Sequence, residues 1–385
     1  MKVSASIFGR FYFFDLAAQF KKKGSLVQLI TSHPYFQAKE WHLEKNQVRS
    51  ITILGVVNRL LAKFKLSNGS SEVILKKLYG YFSRLVIDTD IDVFIFFAGN
   101  GFNSKLIKKL KKENVICIAE EGSSHMMEQI QLLEEENRRN GIIGQPIQPS
   151  ALLKETLLEY ELADYIAVPS SFVKRTFIKQ GICESKLFIN PYGVDLRNFH
   201  QVGKDDDVFR VIFCGGLKLR KGAHYLLQAI FELGIADIEF WHIGTISKEM
   251  EPYVEKYKSS KIIYKGSQPQ TELYKFYSQG SVFVLPSIEE GLSLVQLEAM
   301  ACGLPLICST NTGGEDLITE DGQEGFVVPI RDVEAIKDKI KFLYNNPDKC
   351  RDMGYAAKQK VTDGFSWDNY GDRYHSFLQK VISKK

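Results

Sequence analysis

The sequence predicts an α/β protein built from two doubly wound, Rossmann-like halves. Short apolar runs alternate with amphipathic stretches along nearly the whole chain, which is typical of strands and helices that follow one another in α/β folds. Several apolar runs are continuous, as in Val282–Leu285, and such runs indicate strands of a parallel sheet that helices cover on both faces. The chain has 385 residues, a length that accommodates two domains.

The composition excludes other architectures and several partners. The chain is 44% hydrophobic and 25% charged, which is ordinary for a globular protein and excludes disorder, collagen-like repeats and coiled coil as the main architecture. Lys and Arg total 50 and Asp and Glu total 46, and the resulting net charge of +4 is too small to indicate nucleic-acid binding. We therefore expect no nucleic-acid partner.

The cysteines and the apolar runs indicate the compartment. None of the six cysteines belongs to a Cys-x-x-Cys pair, so neither a zinc site nor a disulfide framework is predicted, and free thiols favour a reducing compartment. The longest apolar runs fall far short of the roughly 20 residues that a membrane span needs. Arg10 and Asp15 interrupt the apolar N-terminus, which argues against a signal peptide. We expect a soluble, cytoplasmic protein.

The predicted strands fall into two sets. The first set lies near residues 3–8, 25–32, 49–53, 92–97, 114–119, 164–168 and 186–190. The second set lies near residues 208–214, 237–243, 261–265, 281–285, 304–308 and 325–328. Turn-rich Asn190–Gly193 and polar Lys204–Asp207 separate the sets. This break predicts an N-terminal domain over residues 1–195 and a C-terminal domain over residues 196–364.

A strand, a loop and a helix start follow one another within residues 286–305. The loop carries Glu290 and Gly291, and Ser293 and Gln296 have the spacing of a capping box, so a helix is predicted to begin there. Free backbone N–H groups and the helix dipole make such a helix start an anion site. In an open α/β sheet, ligands lie at the carboxyl ends of the strands, where this loop is expected.

Glu290 and Glu298 stand eight residues apart in this segment. Carboxylates can accept hydrogen bonds from sugar hydroxyls, as an acidic residue does from ribose in dinucleotide sites. Two alternatives remain: a pair of solvated helix-end glutamates, and a glycosidase pair. The glycosidase alternative fits poorly, because such carboxyls lie about 5–9.5 Å apart, whereas eight helical residues rise about 12 Å.

A second anion-binding loop is predicted after the strand at 208–214. This strand ends in Gly215 and Gly216, and Arg220 and Lys221 precede a helix that begins near Gly222. Glycines allow the backbone to approach a ligand closely, and Arg and Lys can bind phosphate oxygens. The segment is not a P-loop, since it lacks the Gly-x-x-x-x-Gly-Lys-Ser/Thr pattern. A solvated loop pair is the alternative for Arg220 and Lys221.

Two loops of the first half are also expected at the carboxyl ends of strands. Gly9 follows the first strand, and His125 closes the loop that begins at Glu120. An isolated histidine is usually structural or exposed, so both a functional and a structural role stay open for His125.

Several motifs together resemble the family 4 retaining glycosyltransferases, which have the GT-B fold, two Rossmann-like domains facing across a cleft. The motifs are the Glu-x7-Glu run EEGLSLVQLEAMACGLP, the loop GGLKLRKG, Ala163-Asp164 with Val168–Ser170, Pro191–Asp195, and Asn311–Glu315. The stretch Phe365–Trp367 resembles the start of the family's crossover helix. The resemblance therefore implies that a helix near residues 365–385 completes the N-terminal acceptor domain, while residues 196–364 bind a nucleotide-sugar donor.

The resemblance also implies roles for individual residues. Glu298 would bind the ribose and Glu290 the transferred sugar, while Arg220 and Lys221 would bind the diphosphate and stabilise it as it leaves. The remaining implied site residues are the backbone of Gly291 and Leu292 near the distal phosphate, Gly216 in the donor loop, Gly9 in a loop that closes on the donor, and His125 near the transferred sugar. Many family members have Arg where this chain has Gly216, so one phosphate contact differs.

The implied activity is sugar transfer from a UDP- or GDP-linked donor to a glycan or lipid-linked acceptor, in polysaccharide or glycolipid biosynthesis. No metal or other cofactor is expected; Asp88-Thr-Asp90 resembles a metal-binding motif of a different glycosyltransferase fold, but it precedes a strand at the end opposite the cleft. A nucleotide-sugar epimerase and a non-catalytic nucleotide-sugar binding subunit are the alternatives. The basic segments Arg59–Lys65 and Lys105–Lys112 are read as solvated helix faces, with peripheral contact to the inner face of the cell membrane as the alternative.

Overall fold

The computed structural model describes residues 1–64, 66, 68–144 and 146–384. The first half holds a sheet of seven parallel strands in the order β3-β2-β1-β4-β5-β6-β7. Its strands are β1 (Val3–Ile7), β2 (Leu26–Thr31), β3 (Val48–Ser50), β4 (Val93–Phe97), β5 (Ile116–Glu120), β6 (Tyr165–Val168) and β7 (Leu187–Ile189). Its helices are α1 (Phe13–Lys22), α2 (Tyr35–Ala38), α3 (Thr52–Lys63), α4 (Gly69–Val86), α5 (Ser104–Lys112), α6 (Met126–Arg139), α7 (Ser150–Leu162) and α8 (Ser171–Lys179).

The second half holds a sheet of six parallel strands in the order β10-β9-β8-β11-β12-β13. Its strands are β8 (Phe209–Cys214), β9 (Ile238–Ile243), β10 (Ile262–Gly266), β11 (Val282–Leu285), β12 (Leu306–Ser309) and β13 (Gly325–Val328). The helices that follow β8 are α9 (Ala223–Glu232), α10 (Glu251–Lys256), α11 (Leu273–Ser278), α12 (Leu294–Ala301), α13 (Val333–Asn345), α14 (Pro347–Gly364) and α15 (Trp367–Ile382).

Both sheets confirm the predicted doubly wound α/β class. In each sheet the chain reverses its direction of strand addition beside the first strand, between β1 and β4 and between β8 and β11. Ligands of such sheets bind at this switch point, outside the carboxyl ends of the strands. Every predicted strand is confirmed, and the largest difference is at β3, where helix α3 begins at Thr52 inside the span predicted as strand.

The continuous apolar strands are buried as the sequence predicts. Val282–Leu285 is buried at every position between β8 and β12, because helices cover both faces of the sheet. In α5 the apolar residues Leu106, Ile107 and Leu110 face the core and the lysines face solvent, which is the ordinary pattern of a surface helix. The other basic segment, Arg59–Lys65, lies at the end of α3, and Lys65 itself falls outside the described residues.

The last helix of the chain packs on the first half. In α15 the side chains of Tyr370, Tyr374 and Leu378 are buried, and the ring of Tyr374 lies 5.4 Å from that of Phe20 in α1. An ion pair of 2.8 Å joins Asp368 to Lys22. The chain thus returns from the second sheet to the first half; Lys385, the end of the segment predicted near 365–385, lies outside the described residues.

Candidate functional site

Two cationic side chains meet a carboxylate at the carboxyl ends of β8 and β11. The Lys221 ammonium lies 2.6 Å from Oε1 of Glu290, and Nη2 of Arg220 lies 3.9 Å from Oε2 of the same residue. The Lys221 ammonium also donates to Oγ of Ser293 over 3.4 Å. Because β8 and β11 are neighbours in the sheet, the two loops converge, and three of the predicted residues lie together.

The charges of this cluster support one another. Burial opposes the charged form of Glu290, but Lys221 and then Arg220 outweigh it and lower the pKa of the carboxyl below its ordinary value. Burial alone would lower the pKa of Arg220. The carboxylates of Glu289 and Glu290 outweigh this effect, so the pKa of Arg220 is raised above its ordinary value. An opposite charge nearby favours the charged form of both partners, so Glu290 and Arg220 are ionised at neutral pH.

Glu289 joins this cluster to the first half of the molecule, a function that the sequence analysis missed. Its fully buried carboxylate binds Nη2 of Arg220 at 2.9 Å and accepts hydrogen bonds from the backbone N–H and the hydroxyl of Ser124, each at 2.8 Å. Gln129 of α6 donates to its other oxygen over 3.0 Å. Nothing in the sequence separates this glutamate from its neighbour Glu290; only the fold shows that Glu289 links Arg220 to the first half, whereas Glu290 pairs with Lys221 and, more distantly, with Arg220.

The backbone at Gly291 touches the first half directly. A Cβ atom at this position would lie 2.1 Å from the carbonyl oxygen of Gly122, and the Gly291 carbonyl accepts a hydrogen bond of 2.7 Å from the Ser170 hydroxyl. A side chain at residue 291 would therefore push the halves apart. The neighbouring Leu292 is buried in the core.

The helix after this loop begins where predicted, but its cap differs. Helix α12 starts at Leu294 with Ser293 as its N-cap residue, and no side-chain cap bond is formed. The predicted capping box of Ser293 and Gln296 is wrong, because Gln296 instead donates to the Thr312 carbonyl over 3.2 Å. The Ser293 hydroxyl is left to accept from Lys221.

Glu298 lies on α12 and lines a large cavity. The Tyr277 hydroxyl donates to its carboxylate over 3.0 Å and Gln270 donates over 3.2 Å. Burial raises the pKa of Glu298 to about 7, and the hydrogen bonds from Tyr277 and Gln270 only partly oppose this effect. The carboxyl can therefore gain or lose a proton near neutral pH.

The cavity has a volume of about 930 Å³ and lies between the two halves. Its walls come from the loop after β1, including Arg10, from the linker around Asp195, from Glu298 and Leu294 of α12, and from the start of α15 at Trp367. This volume is in the range of small-molecule sites, and the mixed origin of the walls makes the cavity a property of both halves together.

The two predicted loop glycines, Gly9 and Gly216, lie in different halves of the molecule, after β1 and after β8. Gly9 has a φ of 126°, and its carbonyl accepts a hydrogen bond of 2.5 Å from Thr31. The next residue, Arg10, lies over the Trp41 ring at 4.3 Å from its centroid, and both line the cavity. Gly216 follows β8, and a Cβ at this position would lie 3.1 Å from Cε of Lys218.

The structure does not bring His125 together with the Arg220 cluster. His125 is the N-cap of α6, where its Nδ1 accepts a hydrogen bond of 3.2 Å from the Met127 N–H, and its ring packs against Tyr160 and Phe177. Burial lowers the pKa of His125 to about 4, so it is neutral at physiological pH. It lines a separate depression of about 480 Å³ whose walls all belong to the first half.

The Asp88-Thr-Asp90 segment lies at the amino end of β4, at the sheet edge opposite the cavity. Asp90 pairs there with Lys2. Within residues 1–64, 66, 68–144 and 146–384, no group of three or more His, Cys, Asp or Glu side chains is placed to hold a metal ion. In the same part of the chain, no helix has the length and apolar character needed to cross a membrane.

Sequence comparison matches this chain to glycosyltransferases. The sequence model of the family described as glycosyl transferases group 1 matches residues 195–360. An uncharacterized glycosyltransferase of Methanocaldococcus jannaschii is 30% identical over 242 residues, which cover 57% of this chain and 68% of the relative. The sulfoquinovosyl transferase SQD2 of Arabidopsis thaliana is 28% identical over 222 residues, 54% of this chain and 43% of the relative.

Solved structures match over the full length of the chain. The sucrose-phosphate synthase of Thermosynechococcus elongatus superposes with a TM-score of 0.70 at 16% identity, covering 100% of both chains. HepE of Anabaena in complex with UDP gives a TM-score of 0.70 at 13% identity, covering 99% of this chain and 100% of HepE. These likenesses confirm the GT-B fold. In sequence, the chain spans about half the length of most of the curated relatives it matches. The sequence matches show that the chain belongs to the group 1 glycosyl transferases.

Proposed function

We propose that this protein transfers a sugar, with retention of anomeric configuration and without a metal ion, from a nucleoside-diphosphate sugar to a glycan or lipid-linked acceptor. The observation that carries the proposal is the ion-paired cluster of Arg220, Lys221 and Glu290 at the start of α12, the helix that carries Glu298 into the cavity wall. The cluster supplies cations for a diphosphate, and the two carboxylates supply acceptors for sugar hydroxyls.

Arg220 and Lys221 are proposed to stabilise the departing diphosphate. As the bond between the anomeric carbon and the phosphate oxygen breaks, negative charge grows on that oxygen. Groups already oriented at such a position lower the barrier, and loss of one typically costs about 10²–10³-fold in kcat. Both side chains are held by ion pairs to Glu289 and Glu290, so their orientation exists before the donor arrives.

The two glutamates are proposed to bind different hydroxyls of the donor. Glu290 is ionised beside Lys221 and would accept from the transferred sugar, while Glu298, deeper on α12, would accept from the ribose. The backbone N–H groups of Gly291 and Leu292, which precede α12, would add contacts near the distal phosphate. Gly9 and Gly216 would contribute backbone at the donor site without a blocking side chain, and no direct chemical role is proposed for His125.

A UDP-linked donor is proposed first, with a GDP-linked donor as the second candidate. HepE, which shares the fold, is described in complexes with UDP and with UDP-glucose. Relatives of this chain are named for capsular polysaccharide and colanic acid biosynthesis. We therefore propose that the product belongs to polysaccharide or glycolipid biosynthesis.

Donor binding is tested by thermal shift against UDP, GDP, ADP and their common sugars, each with and without EDTA. A ligand that binds only the folded state stabilises it by about 2.7 kcal/mol at a hundredfold excess over its dissociation constant. A selective shift that EDTA does not change, and that Lys221→Met removes but Lys258→Met retains, is the expected result. A shift that requires a metal contradicts metal independence, and no shift at millimolar ligand contradicts the proposed site.

Transfer is then tested with the donor that binds. Release of the nucleoside diphosphate should be slow with water alone and rise when an acceptor glycan is added, and the product should carry the α linkage that retention from an α-linked donor gives. Conversion of the donor into another nucleotide sugar without acceptor would instead identify an epimerase. Tight donor binding with neither reaction would identify a binding subunit.

A further inference from the structure

Two neighbouring helices of the first half, α3 and α4, turn apolar side chains toward solvent. Ile53 is 69% exposed, Phe64 65% and Leu85 64%. A surface helix of a globular protein normally turns its apolar stripe to the core and its polar residues to water. We call the outward side of this pair the α3–α4 face. Its exposed large apolar residues are Ile53, Val56, Val57, Leu60, Phe64, Leu66, Ile74, Leu78, Tyr81, Phe82, Leu85 and Val86.

The exposed apolar residues follow helical periodicity. In and directly after α3 they stand at positions 53, 56, 57, 60 and 64, and in α4 at positions 74, 78, 81, 82 and 85. Residues three or four apart share one side of a helix. Each helix therefore carries a continuous apolar stripe rather than scattered surface residues, and contiguous patches of this kind mark interaction sites.

Close backbone contacts on the inner side fix the orientation of both helices. A Cβ atom on Gly80 of α4 would lie 2.1 Å from the carbonyl oxygen of Gly101, and one on Gly55 of α3 would lie 2.3 Å from that of Ser32. The buried hydroxyl of Tyr79 donates to the Ile30 carbonyl over 2.8 Å. The helices cannot rotate their stripes inward without breaking these contacts, so the apolar face stays outside.

The α3–α4 face is strongly basic. Between residues 52 and 86 the sequence has six basic residues and one acidic residue, Glu72. Glu72 is paired with Lys76 at 2.8 Å. Arg59, Lys63 and Lys77 are exposed around the apolar stripes, and Arg84 is half-buried. Apolar side chains ringed by cations match the interface of an anionic bilayer, in which acyl chains accept the apolar stripe and phosphate groups meet the basic residues.

We infer that the α3–α4 face docks on the surface of an anionic lipid membrane. A second copy of this chain is a poorer occupant, because pairing the face with itself brings like charges together. The inner side of the pair contacts Ser32 and Gly101, which follow β2 and β4 at the carboxyl edge of the sheet. Docking would thus hold the membrane beside the edge of the first sheet that borders the cavity, whatever donor the cavity takes.

The test is co-sedimentation of the full chain with vesicles of phosphatidylcholine alone and of phosphatidylcholine with an equal amount of phosphatidylglycerol. We expect at least about tenfold stronger partitioning to the anionic vesicles, because each basic residue near such a surface contributes about a fivefold change. Binding should weaken, but not vanish, at high salt, since screening acts on the charges and not on the apolar contact.

Two paired variants separate the contributions, and an exposed site elsewhere provides the control. Phe64→Ser with Leu85→Ser should weaken binding to anionic vesicles at least about tenfold, given the value of buried apolar side chains. Arg59→Gln with Lys63→Gln should weaken it about 25-fold by the same fivefold contribution per charge. Tyr355→Ser, at a side chain 71% exposed on α14 of the second half, should change nothing.

The outcomes distinguish this inference from the proposed function. Each variant is first checked for an unchanged urea unfolding curve and unchanged nucleotide binding, so a loss of vesicle binding reports the face alone. Absence of vesicle binding by the unmodified chain, or binding that both paired variants retain, overturns the inference. Concentration-dependent dimers in sedimentation velocity that the apolar variant abolishes, without vesicle binding, would assign the face to a second copy instead.

Discussion

Replacing Glu298 by Gln should stabilise the protein and weaken donor binding at the same time. Burial holds the pKa of Glu298 at about 7, against 4.5 for an ordinary glutamate. Between these values the folded state binds the proton more tightly than the unfolded state, so stability falls as pH rises from about 4.5 to about 7. This difference corresponds to about 3 kcal/mol once the carboxyl is ionised in both states.

Gln cannot ionise, so Glu298→Gln avoids this loss. Its carboxamide can still accept from Tyr277, and Gln270 can turn its own amide to present an oxygen, so both partners remain satisfied. We expect the variant to exceed the unmodified protein in the free energy of unfolding by about 2–3 kcal/mol at pH 8 and by little at pH 5. Donor affinity should fall about 10–150-fold at pH 8, because a hydrogen bond to a charged group contributes about 1.5–3 kcal/mol.

Urea unfolding at pH 5 and pH 8 measures the first effect, and calorimetric titration with the donor nucleotide measures the second. Glu255→Gln, at an exposed side chain on α10, is the matched control and should leave both quantities unchanged at both pH values. A stability difference that is equal at pH 5 and pH 8 would refute the assigned pKa. A stabilised variant with unchanged donor affinity would refute the assignment of Glu298 to the donor site.

Three further predictions concern Lys221, Gly291 and His125. Lys221→Met should lower kcat/KM for the donor at least about 10²-fold, because loss of its charge weakens both donor binding and the proposed stabilisation of the departing diphosphate, whereas Lys258→Met should leave steady-state kinetics unchanged. Gly291→Ala should lower kcat/KM at least about tenfold and increase the radius of gyration, because the added methyl must displace the Gly122 carbonyl. The control Gly203→Ala should change neither quantity, because a Cβ at that position meets nothing within 4 Å. His125→Asn should cost at most about 1 kcal/mol of stability and keep kcat within about threefold, since Asn also caps helices well; a hundredfold loss of kcat would restore His125 to the catalytic site.

The fold could be predicted from the sequence because its signals are local. A continuous apolar strand such as Val282–Leu285 reflects burial on both faces of the sheet, and the amphipathic pattern of α5 reflects burial on one face of the helix. Neither pattern depends on residues distant in the sequence. The start of α12 was predicted from the spacing of Ser293 and Gln296, and the helix begins there although the capping box itself does not form. The capping box failed because Gln296 finds a partner, the Thr312 carbonyl, that only the folded sheet places beside it.

The sequence could predict which candidate site residues lie together only for loops at the carboxyl ends of neighbouring strands. Arg220, Lys221 and Glu290 converge because their loops follow adjacent strands. The structural roles of Glu289 and His125 could not be identified from the sequence in this way. Adjacent glutamates at a helix start look alike in sequence, and a histidine that begins a helix is equally consistent with a cap and with a ligand. The α3–α4 face departs from the expectation of a solvated polar face, because the close backbone contacts of Gly55 and Gly80 fix which side of each helix faces the core and leave the apolar stripes outside.

The position of Arg220 depends on both halves of the molecule. Its guanidinium is held by Glu289, whose carboxylate is in turn held by Ser124 and Gln129 of the first half. If the halves separate, Glu289 loses three hydrogen bonds and Arg220 loses the partner that orients it. In separated halves the Glu289 carboxylate would face water instead of these fixed donors, so the observed orientation of Arg220 depends on the contact of the halves at Gly291 and Gly122. If Arg220 binds the donor diphosphate as proposed, contact between the two halves and orientation of Arg220 for the leaving group therefore occur together.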